Sequence, residues 1–207
     1  LPHNGSMVAV FASEERVSQA ISEHLDTVSI AAVNGPEEAV ISGLSGPVHA
    51  IADALEGAGI EIRRLRISHA AHSPCMDPIL DEFEALVAGV ALRLPTVPLI
   101  ENVGGQVIGA EVLDPRYWRR HMREGVQFFG SMKTLDGLGY RHFVELGNHP
   151  ILCGAGARSL PDSGARWYPS MRRQNAEWPQ LLESVGRMYA DGLDVDWAGF
   201  HADQPGA

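Results

Sequence analysis

Cysteine is scarce in this sequence: the 207 residues include only Cys75 and Cys153. The two lie far apart and without C-x-x-C spacing, so we predict neither a disulfide framework nor a structural zinc site. No apolar run approaches the roughly 20 residues that a bilayer-spanning helix needs, and the first residues lack the basic-then-apolar pattern of a signal peptide. These absences predict a cytoplasmic protein without a membrane segment.

Positive charge is also scarce, since the formal net charge is −10 at pH 7. Nucleic acids and anionic membranes are bound by concentrated positive fields, so we expect neither as the main partner. The arginine clusters at residues 63–66 and 116–123 are interpreted as solvated faces of a strand and a helix, with contact to an acidic protein or a phosphate as the alternative. The overall balance, 45% hydrophobic and 20% charged, is typical of a globular protein.

The first third of the chain alternates regularly between strand and helix patterns. Residues 7–12 predict a strand, and Ser13 is a suitable N-cap for the helix that follows. Two strands joined by a turn, a helix that begins at Pro47 and a fourth strand at residues 60–67 complete a β-α-β-β-α-β pattern. Because this is the order of the ferredoxin-like fold, residues 1–67 are predicted to form a small ferredoxin-like subdomain of α+β type.

The rest of the chain has a different pattern. An amphipathic helix is predicted over residues 76–90, and one long helix is predicted from its N-cap at Asp114 to about residue 137. A strand at residues 142–146 and a helix of small residues at 151–160 come next, and a further strand and helix follow. This alternation predicts an α/β fold class.

Two histidines, His69 and His72, lie three residues apart just before the helix predicted at residue 76. Imidazole exchanges a proton near neutral pH, so His72 is a candidate general base for a hydroxyl nucleophile. An ordinary surface or core position is the alternative for any single histidine. A weaker alternative is that the two histidines bind a metal ion, because no carboxylate or cysteine lies at ligand spacing from them.

A nucleophile for such a base is missing. Acyl-transfer enzymes of the α/β type place their serine in a G-x-S-x-G elbow, and the chain contains no such motif. Cys153 lies at a predicted helix start, where a thiolate is favoured, although a buried apolar role is the simpler interpretation. The residues alone leave three alternatives: acyl transfer with His72, a thiol hydrolase with Cys153, and a ferredoxin-like module that binds a small molecule or protein without catalysis.

Several motifs of this chain match the pattern of one protein family. Residues 69–78 are similar to that family's H-A-F-H-S-P-x-M-D-P signature, and residues 145–152 to its E-x-G-P-H-P-x-L motif. Further matches extend over nearly the whole chain: Gly5-Ser6-Met7-Val8-Ala9-Val10, Ala32-Val33-Asn34-Gly35-Pro36, Asp114-Pro115-x-Tyr117-Trp118-x-x-His121 and Asp194-Val195-Asp196-Trp197. Taken together, these motifs resemble the acyltransferase domains of modular polyketide synthases and multifunctional fatty acid synthases.

The resemblance implies a ferredoxin-like subdomain inserted into an α/β-hydrolase-like subdomain. Residues 1–67 would be the former, residues 68–190 the C-terminal part of the latter, and residues 191–207 the start of the following linker. The serine elbow would lie outside this chain, so that the piece alone would be inactive. His72 would be the catalytic histidine. The substrate-binding residues implied by the match are His69, Ala70, Ala71, Asn148 and His149.

The implied reaction is a ping-pong transfer of an acyl group from coenzyme A, through an acyl-serine, to the phosphopantetheine thiol of an acyl carrier protein. The domain would bind no cofactor and no metal of its own, because the coenzyme A thioester and the carrier's phosphopantetheine act as substrates. The implied partners are the acyl carrier protein, acyl-CoA, and the neighbouring ketosynthase and linker regions of the same polypeptide.

Two departures from the family's motifs bear on selectivity. Within the family, H-A-F-H tends to accompany malonyl selection and Y-A-S-H methylmalonyl selection. This chain has His69-Ala70-Ala71-His72, which is malonyl-like at its first position but has Ala71 where a bulky phenylalanine is usual. We therefore predict malonyl transfer with reduced selectivity. The second departure, Asn148 in place of proline, carries no functional prediction.

Overall fold

A four-stranded antiparallel sheet with two helices is formed by the first part of the chain. A computed structural model describes residues 4–67 and 69–202. The first elements in chain order are β1 Gly5–Val10, α1 Glu14–Ile21, β2 Val28–Gly35, β3 Glu38–Leu44, α2 Ser45–Gly57 and β4 Ile62–Arg64. The sheet has the order β2-β3-β1-β4, and each neighbouring pair is antiparallel. This confirms the predicted ferredoxin-like order, with a fourth strand shorter than predicted.

Helices α1 and α2 cover one face of this sheet. Because alternate residues of a strand share a face, Val8 and Val10 of β1 lie beside Ile41 of β3, and all three are fully buried. They belong to one cluster with Val17 of α1 and Val48 of α2, both also fully buried. Full burial of one such side chain contributes about 1.5–3 kcal/mol, so this cluster is a substantial core for the small sheet.

The next elements differ in detail from the sequence predictions. They are a 3₁₀-helix Pro74–Ile79, α3 Leu80–Ala88, β5 Leu99–Ile100, β6 Val107–Ile108, a 3₁₀-helix Ala110–Leu113, α4 Pro115–Arg123 and α5 Phe128–Gly137. The helix predicted over residues 76–90 thus begins with 3₁₀ geometry. Proline removes a backbone donor and disfavours α geometry in the residue before it, and Pro78 lies inside this turn.

The prediction of a single long helix from Asp114 to residue 137 is wrong, because α4 and α5 are separated at residues 124–127. In this gap Val126 pairs with the outer edge of β2: its amide donates to the Ala31 carbonyl and its carbonyl accepts from the Val33 amide, both at 2.8 Å. A Cβ atom on Gly125 would lie 2.4 Å from a β2 carbonyl oxygen. Tertiary pairing with the small sheet therefore overrides the helical periodicity.

A parallel β-α-β unit forms the later part of the chain. Its elements are β7 His142–Glu145, α6 Ile151–Ser159, β8 Arg166–Pro169, α7 Glu177–Ala190 and α8 Trp197–His201. Strands β7 and β8 are parallel, and the rings of Phe143 and Trp167 stack with centroids 4.6 Å apart. Helix α6 approaches β8 closely, because a Cβ atom on Gly156 would lie 2.2 Å from the Trp167 ring. The predicted α/β character of this part is confirmed.

The chain divides into two compact units, one up to Gly139 and one from Tyr140. The predicted boundary between residues 67 and 68 falls inside the first unit, and α8 lies in the range predicted to begin a linker. The three predicted domains stay predictions. Across residues 4–67 and 69–202, no helix combines the length and apolar character needed to span a membrane.

Candidate active site

His72 lies in the loop before the first 3₁₀-helix, and its backbone adopts the left-handed conformation with φ 56°. A residue other than glycine in this region carries about 1–3 kcal/mol of strain. The next residue holds the turn: the buried Ser73 hydroxyl donates to the Ala70 carbonyl at 2.7 Å and accepts from the Cys75 amide at 3.3 Å. The strained position of His72 is therefore fixed by local hydrogen bonds.

The imidazole of His72 is oriented by a backbone carbonyl. Its Nδ1 atom lies 2.7 Å from the carbonyl oxygen of Glu124, in the gap between α4 and α5. A carbonyl oxygen can only accept a hydrogen bond, so Nδ1 must carry a proton. In the neutral ring the lone pair is then on Nε2, which becomes the nitrogen able to accept a proton from a nucleophile.

Ala70 is a packing residue in this loop. It is 1% exposed and belongs to a buried cluster with Cys75, Met76 and Leu80. Strand β1 passes so close that a Cβ atom on Gly5 would lie 2.7 Å from the Ala70 methyl group. The structure thus gives Ala70 a role in joining β1 to the 3₁₀-helix, and its predicted contact with substrate stays a prediction.

The structure brings His69, Ala70, Ala71 and His72 together in one loop of the first unit. His69 and Ala71 are both half-buried residues. Their assignment to an acyl pocket stays a prediction.

His121 of α4 is a further residue near this loop, and sequence reasoning did not select it as a site residue. Burial, and secondarily the charge that His72 can carry, lower the pKa of His121 below its ordinary value. Its ring lies 5.9 Å from that of Trp118, measured between centroids. Its surroundings therefore favour the neutral form of His121. The only sequence signal was its place in the Tyr117-Trp118-x-x-His121 motif.

The basic cluster at residues 116–123 is neutralised by carboxylates. The closest ion pairs of its four arginines are Arg116–Asp114 at 2.6 Å, Arg119–Asp81 at 2.5 Å, Arg120–Glu124 at 2.7 Å and Arg123–Asp77 at 2.6 Å. Each guanidinium thus has an opposite charge beside it. The pairing weakens the alternative that this cluster binds an acidic protein or a phosphate.

In the second unit, Glu145 organises the loop at the end of β7. Its Oε1 atom accepts from the amides of Ile151 and Leu152, each at 3.1 Å, and its Oε2 atom accepts from the Cys153 amide at 2.6 Å. Burial by itself raises the pKa of this carboxyl, but these hydrogen bonds outweigh burial, and the net pKa lies below its ordinary value. Glu145 is therefore an ionised cap on the first turn of α6.

Asn148 and His149 lie in the loop between Glu145 and α6. Asn148 is exposed, whereas His149 is half-buried. The Nδ1 atom of His149 is buried and makes no hydrogen bond within the part of the chain that the structure describes. The loop is fastened at Gly147, whose amide donates to Ser170 Oγ at 3.1 Å. The assignment of Asn148 and His149 to substrate binding stays a prediction.

Cys153 is a poor nucleophile in this setting. Burial, reinforced by the neighbouring Glu145 carboxylate, raises the pKa of its thiol to about 12. Because the thiolate is the reactive form of cysteine, a thiol at this position is almost entirely protonated at neutral pH. This argues against a thiol hydrolase that uses Cys153.

No group of three or more His, Cys, Asp or Glu side chains is placed to share a metal ion within residues 4–67 and 69–202.

Comparisons with known proteins agree with the resemblance seen in the motifs. The profile of the family described as "Acyl transferase domain" matches residues 1–195. The chain is 41% identical over 197 residues to mycoketide-CoA synthase of Mycobacterium tuberculosis, and the match covers 95% of the chain and 5% of that protein. It is 39% identical to polyketide synthase GfsA of Streptomyces halstedii, over 100% of the chain and 3% of that protein.

Comparison with solved structures agrees with these sequence matches. The chain is similar to the acyltransferase domain from the second module of the salinomycin polyketide synthase, with a TM-score of 0.93 and 37% identity. The match covers 98% of the chain and 48% of that domain. The fold is also shared with FabD of Acinetobacter baumannii, at a TM-score of 0.81 and 20% identity, over 93% of the chain and 61% of FabD. The chain thus spans about half of the solved salinomycin domain. The comparisons give no support to the non-catalytic binding module.

Proposed function

Because the chain belongs to the acyl transferase domain family, we propose that it supplies the general base and part of the acyl pocket of a polyketide synthase acyltransferase. The observation that carries the proposal is the hydrogen bond between His72 Nδ1 and the Glu124 carbonyl, 2.7 Å long. This bond leaves Nε2 as the basic nitrogen, which is the requirement for activating a hydroxyl nucleophile.

The proposed reaction has two half-reactions that use the same base. A serine outside this chain attacks the acyl-CoA thioester carbonyl while His72 Nε2 takes the hydroxyl proton. The C–S bond then breaks, and the proton passes from His72 to the departing coenzyme A thiolate. In the second half-reaction His72 takes the proton of the carrier's phosphopantetheine thiol, whose sulfur attacks the acyl-serine ester. The serine oxygen leaves and recovers that proton.

Substrate contacts are proposed for His69, Ala70, Ala71, Asn148 and His149, on the basis of the motifs that contain them. Malonyl is the proposed acyl group. The small Ala71 side chain leaves room that a phenylalanine would fill, and a pocket discriminates one methylene by only about 1–3 kcal/mol. We therefore propose reduced selectivity against longer α-substituents.

The proposed partners are an acyl carrier protein, acyl-CoA, and the ketosynthase and linker regions of the same polypeptide. Coenzyme A and phosphopantetheine enter as substrates, and no resident cofactor is proposed. The proposed location is the cytoplasm, as inferred from the cysteine content of the sequence.

The proposal is tested in the parent synthase with His72→Ala and the matched control His49→Ala, an exposed histidine of α2. Radiolabelled malonyl-CoA is mixed with enzyme, and formation of the acyl-enzyme is followed over time. We expect His72→Ala to lower the rate by about 100-fold or more, as for other general bases, whereas His49→Ala stays near wild type. Equal rates for the two variants would refute the role of His72.

A further inference from the structure

Arg123, the last residue of α4, connects three parts of the first unit. Its Nε atom donates to Asp77 Oδ1 at 2.6 Å, and its Nη1 atom donates to Ser29 Oγ at 3.3 Å. Asp77 belongs to the 3₁₀-helix after the His72 loop, and Ser29 belongs to strand β2. The guanidinium therefore joins the end of α4 both to the 3₁₀-helix that follows the His72 loop and to strand β2 of the small sheet.

The residues that follow Arg123 are held on both sides of the carbonyl that orients His72. The Glu124 carbonyl accepts from His72 Nδ1 at 2.7 Å. Two residues later, Val126 pairs with the edge of β2 through two backbone hydrogen bonds of 2.8 Å. The direction of a carbonyl is set by the backbone on either side of it. The Arg123 side chain and the Val126 pair anchor the backbone before and after the Glu124 carbonyl, and the Glu124 carboxylate is itself paired with Arg120 at 2.7 Å.

The other arginines of α4 make different connections. Arg116 pairs with the N-cap Asp114, Arg120 pairs with Glu124 one turn later, and Arg119 reaches α3 through Asp81 and Glu84. Arg123 is also less exposed than these three, with 29% of its side chain accessible. A planar guanidinium can contact two acceptors at once, which a single ammonium does less well.

We propose that Arg123 is a positioning residue for acyl transfer: it holds the Glu124 carbonyl against His72 Nδ1 and thereby keeps Nε2 as the base. This inference rests on the proposed function of His72. On this proposal, the contact between α4 and the small sheet affects the rate of acyl transfer. A further consequence is that the ferredoxin-like sheet, through Ser29 and the Val126 pair, takes part in orienting the base.

The experiment uses the parent synthase with Arg123→Met, Arg123→Lys and the control Arg119→Met. Arg119 is matched, because it lies on the same helix and also pairs with carboxylates. The kcat and KM for malonyl transfer from malonyl-CoA to the acyl carrier protein are measured. We expect Arg123→Met to lower kcat about 10- to 100-fold, since a small misplacement of a catalytic group has effects of this size, while KM and the Arg119→Met rate stay near wild type.

Arg123→Lys provides the rescue test. An ammonium can still pair with Asp77 but loses the fork that also reaches Ser29, so we expect kcat between those of wild type and Arg123→Met. A lysine variant no better than the methionine variant would contradict the inference. So would an Arg123→Met enzyme with the same kcat as Arg119→Met, or one whose defect is entirely in KM.

A second variant keeps the test decisive if Arg123→Met does not fold. Asp77→Asn removes the negative charge that pairs with Arg123, with almost no change in side-chain volume. We expect it to lower kcat, as Arg123→Met does. Where both single variants fold, the two losses should not add in the double variant, because both disrupt the Arg123–Asp77 pair. Full additivity, or no effect of Asp77→Asn on kcat, would overturn the inference. Failure of the proposed function itself is seen separately, as an active His72→Ala enzyme.

Discussion

At the scale of single residues, the loop of residues 69–73 contains both buried packing residues and the proposed base. Ala70 and Ser73 are buried and hold the turn, whereas His72 carries the strained backbone and the oriented ring. Backbone strain of this kind persists only where the surroundings fix it. The small, buried residues therefore hold the conformation of His72, the proposed base, and the half-buried Ala71 is the proposed position that varies with substrate.

A substitution at Ala71 tests this division. We expect Ala71→Phe in the parent synthase to raise the preference for malonyl-CoA over methylmalonyl-CoA, because the ring fills space that an α-methyl group would use. One methylene corresponds to about 1–3 kcal/mol, or roughly 10- to 200-fold in the ratio of kcat/KM. Competition between the two thioesters measures that ratio. Ala85→Phe, at an exposed position of α3, is the control, and an unchanged ratio in Ala71→Phe would rule out the pocket role of Ala71.

At the scale of elements, α6 depends on a carboxylate from the preceding strand. Helices begin with backbone amides that lack partners within the helix, and Glu145 accepts from three of them. We expect Glu145→Gln to weaken the first turn of α6 by about 1–2 kcal/mol, or roughly 5- to 30-fold in local opening. Hydrogen exchange at the amides of residues 151–153, measured in the parent synthase, reports this change.

The pH dependence of that effect follows from the lowered pKa of Glu145. A carboxyl whose folded pKa is depressed stabilises the fold above its unfolded pKa, and this contribution is lost as the pH falls through the folded value. The difference between wild type and Glu145→Gln should therefore shrink below about pH 4. Glu177 is an exposed first-turn glutamate of α7. Glu177→Gln should leave the hydrogen exchange of α6 unchanged, both at neutral pH and below about pH 4. A difference that persists in acid would contradict the assignment of the effect to the ionised carboxylate.

Local sequence patterns were sufficient to predict most helices and strands, but they were insufficient to predict the orientation of His72, the proposed base. The βαββαβ order could be predicted because each strand and helix has its own period and end signals. The break between α4 and α5 could not, since one glycine, Gly125, is a weak signal and the pairing of Val126 with β2 is a long-range contact. The Glu124 carbonyl is a backbone group and leaves no trace in residue type. His72 could be selected from its motif, but its partner could not.

At the scale of the whole molecule, the parallel sheet of the second unit leaves much apolar surface accessible. Parallel sheets are normally covered on both faces, and among the described residues this sheet consists of the two strands β7 and β8. Val144 is 49% exposed, and Leu146 in the next loop is 85% exposed. The first residues of α6 add to this surface, with Ile151 at 64% and Leu152 at 52%. Several large exposed apolar side chains in one unit are typical of a face that another element or chain covers.

When the 207-residue chain is expressed alone, this surface should cause self-association. Size-exclusion chromatography with light scattering measures the mass as a function of concentration, and we expect it to exceed that of a monomer and to rise with concentration. Leu146→Ser should reduce the association, because it replaces the most exposed apolar side chain of the surface. Leu25→Ser, at a residue of the first unit that is 61% exposed, should not. A monomeric wild-type chain, or equal effects of the two substitutions, would mean that this surface does not drive association.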